Sequence, residues 1–234
     1  MIPRKPLELD PQVPSGHTYC TPKRDDLSEE GFGYFRDTWL IRGVGIREAR
    51  AIITIESDLV EIAARLAVDD VEFDQVAEAF ETSDPEALPR RLFGSAAVAE
   101  IEPHLSVDDS PPLDGLELGV AGLVYALGAV GCWPAASCRG HPTAYAWADH
   151  PVVFLAADRH RVAVLQPLVA EARCGFATDP ARPELLVVQA ESMEETTNLA
   201  RFVFSKRREF VPRRGPRSRG RGSSVIQTTL DFGS

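Results

Sequence analysis

The residues with the clearest potential for chemistry lie in one short stretch, Ser137-Cys138-Arg139-Gly140-His141. A cysteine and a histidine at this spacing can act as metal ligands, because thiolate and imidazole both suit zinc. The same two residues, Cys138 and His141, are candidate catalytic residues, since a cationic neighbour can activate a thiol as a nucleophile. In a third interpretation Ser137, Arg139 and Gly140 bind a ligand, and the guanidinium holds an anion.

The sequence does not decide between these interpretations. A complete metal shell would need Cys132 or His150, and their spacings match no standard zinc site. A buried cysteine followed by a hydrogen-bonded histidine would also give this sequence without any function, because free cysteine is among the most often buried residues. We therefore keep the catalytic and ligand-binding interpretations open and assign no metal site.

The elements that position this stretch are predicted from hydrophobic spacing. Apolar residues at helical spacing predict a buried helix over 119–130, and a strand over 133–138 follows it. The remaining predicted elements are a strand, a helix, two strands and a helix, over 152–157, 159–173, 175–178, 185–190 and 194–205. The order α-β-β-α-β-β-α predicts a layered α+β domain over 113–205, because a doubly wound parallel sheet needs a helix between each pair of strands.

The N-terminal part is predicted to be an acidic, mainly helical region packed on that domain. Residues 1–27 contain five prolines and little periodicity, which indicates an extended arm. The helical region spans 28–104, with helical patterns over 47–66 and 71–80. An acidic loop with two prolines follows and separates it from the α+β domain.

Length and composition exclude several classes of protein. The chain has 234 residues, of which 44% are hydrophobic and 26% charged, as is typical of globular proteins. No apolar run is long enough for a transmembrane helix, and the first 30 residues lack the apolar core of a secretory signal. We expect no membrane association, a cytoplasmic location and four reduced cysteines.

Charge is distributed unevenly along the chain. The net charge is −10, yet residues 206–222 hold eight basic residues and one acid, so the rest of the chain carries −17. Such an acidic body repels nucleic acid, and any binding of DNA or RNA is expected only at the basic segment. Its composition predicts a disordered linker over 206–224. The candidate nucleic-acid-binding residues are Lys206, Arg207, Arg208, Arg213, Arg214, Arg217, Arg219 and Arg221.

The last ten residues, 225–234, become apolar again. An apolar cluster that ends a disordered tail is typical of a short partner-binding peptide.

The order Gln227-x-x-Leu230-x-Phe232 resembles the sliding-clamp-binding motif of bacterial DNA polymerases, mismatch-repair and translesion proteins. The resemblance implies that Gln227 hydrogen-bonds in a polar pocket of the DNA sliding clamp. It also implies that Leu230 and Phe232 enter a hydrophobic cleft, with Asp231 at the variable position between them. The alternative is a terminal strand added to the protein's own sheet.

The S-C-R-G-H stretch also resembles the S-C-S-G-basic stretch that follows a strand in tRNA wybutosine-synthesizing methyltransferases. This resemblance covers only 131–141, and Arg139 replaces the second serine. It implies RNA modification that depends on S-adenosylmethionine. However, we find no glycine-rich loop followed by an acidic strand end that would indicate this cofactor.

The sequence therefore predicts a bacterial protein that the sliding clamp recruits to DNA through a C-terminal peptide. The recruited activity would concern repair, replication control or the sensing of foreign replication. The alternatives are a nucleic-acid-modifying enzyme and a small-ligand or metal sensor, both using residues 138–141. The sequence identifies no cofactor.

Overall fold

The computed structural model describes residues 1–22, 43–105, 112–141 and 148–212. These ranges form a mixed α+β fold, as the sequence predicts. The helices are α1 (Ile46–Leu66), α2 (Asp70–Thr82), α3 (Ala96–Ile101), α4 (Ala121–Ala129), α5 (Arg159–Glu171) and α6 (Met193–Ser205). The strands are β1 (Trp133–Cys138), β2 (Val152–Ala156), β3 (Gly175–Asp179) and β4 (Arg182–Gln189). Within the described ranges, every helix is too short or too polar to cross a membrane.

The layered domain is built as predicted. From α4 onward the elements follow the order α-β-β-α-β-β-α. The strands lie side by side in the order β1-β2-β4-β3, and each neighbouring pair is antiparallel. The sheet is thus antiparallel throughout, with β1 at one edge and β3 at the other.

The main hydrophobic core lies between one face of this sheet and the helices. Alternation along the strands puts Val153 and Leu155 of β2 on that face, with Leu186 and Val188 of β4 beside them. Helix α4 is apolar on all sides and buried over residues 121–128. It packs against α1 and against α6, which is the usual environment of a helix without a polar face.

The N-terminal arm runs along the α+β domain in an extended conformation. Arg4 forms an isolated antiparallel bridge with Ser192. The backbone N–H of Phe176, on edge strand β3, donates to the carbonyl of Asp10 at 2.7 Å. The arm therefore satisfies backbone groups that an edge strand would otherwise leave open.

The folded body continues past residue 205, where the sequence analysis places its end. Turns follow α6, and the ring of Phe210 is fully buried. The guanidinium of Arg207 lies over the ring of Phe204 at 4.7 Å, and Lys206 pairs with Glu209 at 3.4 Å. Burial of the Phe210 ring in the core thus holds the first part of the basic segment, 206–210, against the folded body. Residues 213–234, which include the rest of the basic segment and the clamp-binding-like peptide, lie outside the described residues.

A carboxyl group lies buried where α1 meets α4. Neither oxygen of Glu56 makes a well-aligned hydrogen bond within the described part of the chain. The carboxyl group faces the start of α4 at Gly122, where a Cβ atom would overlap with it. Burial raises the pKa of Glu56 to about 7, and the nearby amides of Gly122, Gly119 and Ala121 oppose this rise only in part.

We predict that Glu56→Gln removes a pH-dependent loss of stability. The folded state keeps this carboxyl proton up to about pH 7, whereas the ordinary pKa is 4.5, so stability falls as the pH rises between these values. The loss is roughly 3 kcal/mol at pH 8. Urea denaturation at pH 4 and pH 8 should show the variant gaining this amount relative to wild type. Glu61→Gln, on the exposed side of α1, is the control and should show no such gain. Equal behaviour of the two variants would contradict the prediction.

Candidate functional site

The turn that follows β1 is shaped by Gly140. Its φ of 82° lies in the left-handed region, which side chains other than glycine rarely adopt. A Cβ atom at this position would also lie 2.5 Å from the backbone of His150. The close approach of these two backbone segments fixes the turn that carries Arg139 and His141.

Arg139 is almost fully buried, with 3% of its surface exposed, and acidic groups surround it. Its guanidinium forms ion pairs with Asp74 and Glu81 of α2. Its backbone N–H donates to Oε2 of Glu117 at 2.6 Å. Asp74 and Glu81 already pair with the guanidinium, so an anion held there, as predicted for Arg139, would meet their negative charge, although Nε of Arg139 has no hydrogen-bond partner among the described residues.

The imidazole of His141 stands between two carboxylates. Its Nδ1 lies 3.3 Å from Oδ1 of Asp74, and its Nε2 lies 3.2 Å from Oε1 of Glu117. Hydrogen bonds with Asp74, Cys138 and Glu117 raise the pKa of His141 to about 11. At neutral pH the imidazole therefore carries protons on both nitrogens and balances part of the surrounding negative charge.

Burial and hydrogen-bond partners shift the pKa values of the three carboxyl groups, Asp74, Glu81 and Glu117, in opposite directions. Burial works to raise the pKa of Asp74 and of Glu117, but hydrogen bonds from His141 and Arg139 outweigh it and hold both below their usual values. For Glu81 burial prevails and raises the pKa to about 6, although Arg139 opposes it. With all three ionised, the cluster has three negative charges against two positive ones.

Cys138 completes a group of three metal-ligand side chains with Glu117 and His141. One ligand atom of each lies within 4.8 Å of the other two. The N–H of Gly140 donates to the Cys138 sulfur at 3.4 Å. The cysteine has no exposed surface, so a substrate cannot reach the sulfur, and the geometry does not support the predicted nucleophile. A metal ligand, by contrast, needs no exposure.

Other residues that the sequence analysis considered lie elsewhere. Cys132 precedes β1, at the opposite end of that strand from Cys138, and burial raises its pKa to about 12. The ring of His150 bonds to Asp149 instead, at 2.7 Å from Nδ1 to Oδ1. Ser137 lines a different groove, on the outer face of the sheet. Cys132 and His150 therefore do not complete a metal shell with Cys138.

Sequence reasoning missed the carboxylates of this site. Glu117 lies 22 residues from Arg139, and Asp74 lies 65 residues from it. The one usable signal is that Asp74 and Glu81 directly follow Phe73 and Phe80, which are buried on the inner face of α2. An acid next to a core position is too common to indicate a site.

A cavity of about 530 Å³ opens beside the cluster. The N-terminal arm and the start of α2 form its walls together with the turn after β1. Asp74 and His141 line it, whereas Glu117 and Cys138 do not. The cavity thus borders the edge of the His141 ring that faces Asp74.

Comparison of the chain with protein-family models, with curated proteins and with solved structures finds no match. The described residues define an α+β protein in which a buried cysteine lies beside a partly exposed histidine and carboxylate.

We predict that Arg139→Met destabilises the protein by about 3–5 kcal/mol, because Asp74 and Glu81 lose their buried partner. The matched control is Arg91→Met, because the Arg91 side chain, which pairs with Glu72 at 2.5 Å, is 42% exposed whereas that of Arg139 is 2% exposed. The control should cost less than about 1 kcal/mol. Urea denaturation at pH 7 measures both, and similar losses in the two variants would argue against a central role for Arg139.

Proposed function

We propose that this chain is a metal-binding protein that holds one zinc-class ion between Glu117, Cys138 and His141. The observation that carries the proposal is the convergence of their three ligand atoms within 4.8 Å. Carboxylate, thiolate and imidazole are the ligands that zinc takes in proteins. The mixed set of a soft sulfur and a nitrogen argues against calcium or magnesium, which prefer oxygen ligands.

Two of the three side chains, Cys138 and Glu117, accept a backbone N–H that holds them in place. Gly140 donates its N–H to the sulfur of Cys138. The backbone of Arg139 binds one oxygen of Glu117, which leaves Oε1 free to act as a single-oxygen ligand. Such supporting hydrogen bonds are characteristic of metal sites, because they orient the ligands before the ion arrives.

The separation of the donors also suits a tetrahedral ion. Nε2 of His141 and Oε1 of Glu117 are 3.2 Å apart. Bond lengths of zinc to nitrogen and oxygen give a tetrahedral edge of roughly 3.4 Å. These two atoms therefore need almost no movement, and the sulfur lies within 4.8 Å of both.

The charge of the cluster favours a divalent cation. Its carboxylates outnumber its cationic side chains by one, and His141 reduces the imbalance only by holding a proton. Metal binding requires a neutral imidazole and a thiolate, so the ion replaces the protons of His141 and Cys138. Metal affinity should accordingly fall as the pH is lowered.

We predict one zinc ion per chain in the purified full-length protein after dialysis against zinc. Cys138→Ser, His141→Gln and Glu117→Gln should each lose it, because each removes one ligand atom. Cys20→Ser and His150→Gln are the matched controls and should retain zinc, since neither residue belongs to the cluster. Elemental analysis gives the stoichiometry, and circular dichroism shows that the variants are folded. Wild-type protein without zinc, or a ligand variant that keeps it, would overturn the proposal.

A second candidate function concerns a partner and rests on the sequence Gln227-x-x-Leu230-x-Phe232 behind the basic segment. We propose that this peptide docks on the DNA sliding clamp. The described body is packed as far as Phe210, which leaves 16 residues, 211–226, before the glutamine. A flexible chain of that length spans about 22 Å. Its arginines suit non-specific contact with the phosphates of DNA next to the clamp, with strong salt dependence.

We predict that Leu230→Ala combined with Phe232→Ala lowers binding to an immobilised bacterial sliding clamp at least about tenfold, since apolar anchors dominate short-peptide affinity. Wild-type affinity should be in the range of about 1 μM. Thr228→Ala combined with Thr229→Ala changes only positions that the motif leaves variable and should bind like wild type. Surface plasmon resonance measures all three proteins. Equal binding by the anchor variant would exclude this docking mode.

A further inference from the structure

We infer that the ion at Glu117, Cys138 and His141 keeps a fourth coordination position open to a small exogenous ligand. The inference rests on the proposed metal binding and deepens it. An open fourth position distinguishes two kinds of zinc site. Structural sites have four protein ligands, whereas sites that act on a ligand have three and keep one position free.

A fourth protein ligand is missing from the described ranges. The group of converging ligand atoms there contains only the three residues named above. Asp74, the nearest other carboxylate, bonds to Nδ1 of His141, whereas Glu117 lies at Nε2. The two ring nitrogens point in diverging directions, so Asp74 cannot reach an ion on Nε2.

The remaining acid of the cluster is occupied as well. Glu81 pairs with the guanidinium of Arg139 and accepts the N–H of Leu118 at 2.7 Å. Moving it to the ion would take away one of the two carboxylates that pair with the buried guanidinium of Arg139, which is unfavourable. The protein therefore supplies three ligands for two reasons. Asp74 lies on the wrong side of the imidazole, and Glu81 is held in its ion pair with Arg139.

The site is buried on one side and open on the other. Cys138 has no exposed surface, whereas 25% of the His141 side chain and 32% of the Glu117 side chain are exposed. An ion bound to all three would have one buried ligand, the sulfur, and two partly exposed ligands, Glu117 and His141. Solvent or a small ligand can therefore reach it.

Charge indicates which ligands this position takes. With a thiolate and three carboxylates, the cluster has four negative charges against Arg139 and a divalent ion, so it stays negative by one. Such surroundings disfavour phosphate and other polyanions. They favour water and neutral oxygen or nitrogen donors, such as an amide carbonyl or an imidazole. A metal with such a ligand acts as a Lewis acid, polarising a carbonyl or activating water.

Asp74 acts as a positioning residue in this arrangement. By accepting the Nδ1 proton of His141 it leaves Nε2 for the ion. Asp74→Asn should weaken metal binding by about 10- to 100-fold, the usual effect of losing such a partner. It should not change the number of ligands on the ion.

The test uses the full-length chain loaded with cobalt(II), whose visible bands report coordination and whose sulfur-to-metal absorption reports a thiolate ligand. We expect the sulfur band in wild type and its loss in Cys138→Ser. Imidazole added to the wild-type cobalt protein should shift the visible bands, and dialysis should reverse the shift with the cobalt retained.

The outcomes separate the two proposals. If cobalt does not bind, the proposed metal site is wrong and this inference fails with it. If cobalt binds with the sulfur band but saturating imidazole leaves the visible bands unchanged, the metal site stands and the open position is excluded. X-ray absorption of the zinc form gives an independent count, for which we expect one sulfur and three lighter atoms.

Discussion

The contact on which the rest of the site depends is the buried guanidinium of Arg139. It joins α2, from the helical region, to the turn after β1 of the α+β domain through Asp74 and Glu81. If either carboxylate lost this cation, its buried negative charge would lack that partner, and the folded state would be strongly destabilised. The same ion pairs bring Asp74 to His141, so the packing of the two regions and the geometry of the cluster have one cause.

Burial and ion pairing argue against two of the three interpretations of the S-C-R-G-H stretch, namely anion binding by Arg139 and nucleophilic catalysis by Cys138. An arginine that already pairs with two carboxylates is a poor site for an anion, and a cysteine without exposed surface is a poor nucleophile. Coordination of a cation is the chemistry that burial and excess negative charge both favour. Exposure and charge balance, which a sequence does not record, are what distinguish the interpretations.

Local periodicity was enough to predict the elements of the α+β domain, because each buries an apolar face that its own residues reveal. The sheet order β1-β2-β4-β3 was not predictable, since antiparallel pairing allows either strand of the last hairpin to lie beside β2. Cys138 and His141 were identified by residue type alone. The carboxylates were not, because Asp74, Glu81 and Glu117 reach the site through long-range packing. Phe210 was missed for a similar reason, as one aromatic residue in a run of arginines gives no periodic signal.

The two proposed functions use opposite charges in separate parts of the chain. In the first proposal the acidic body binds a cation at a site fixed by ion pairs, and in the second the basic segment and the terminal peptide contact DNA and a partner's cleft. Sixteen residues lie between Phe210 and Gln227, and the docking proposal treats them as a tether, which at this length imposes little geometry on what it joins. Docking therefore requires nothing of the Cys138 site, and metal binding requires nothing of the tail. What the tether would add is a high local concentration of the body near the clamp, so that a weakly binding site on the body could still find its ligand there.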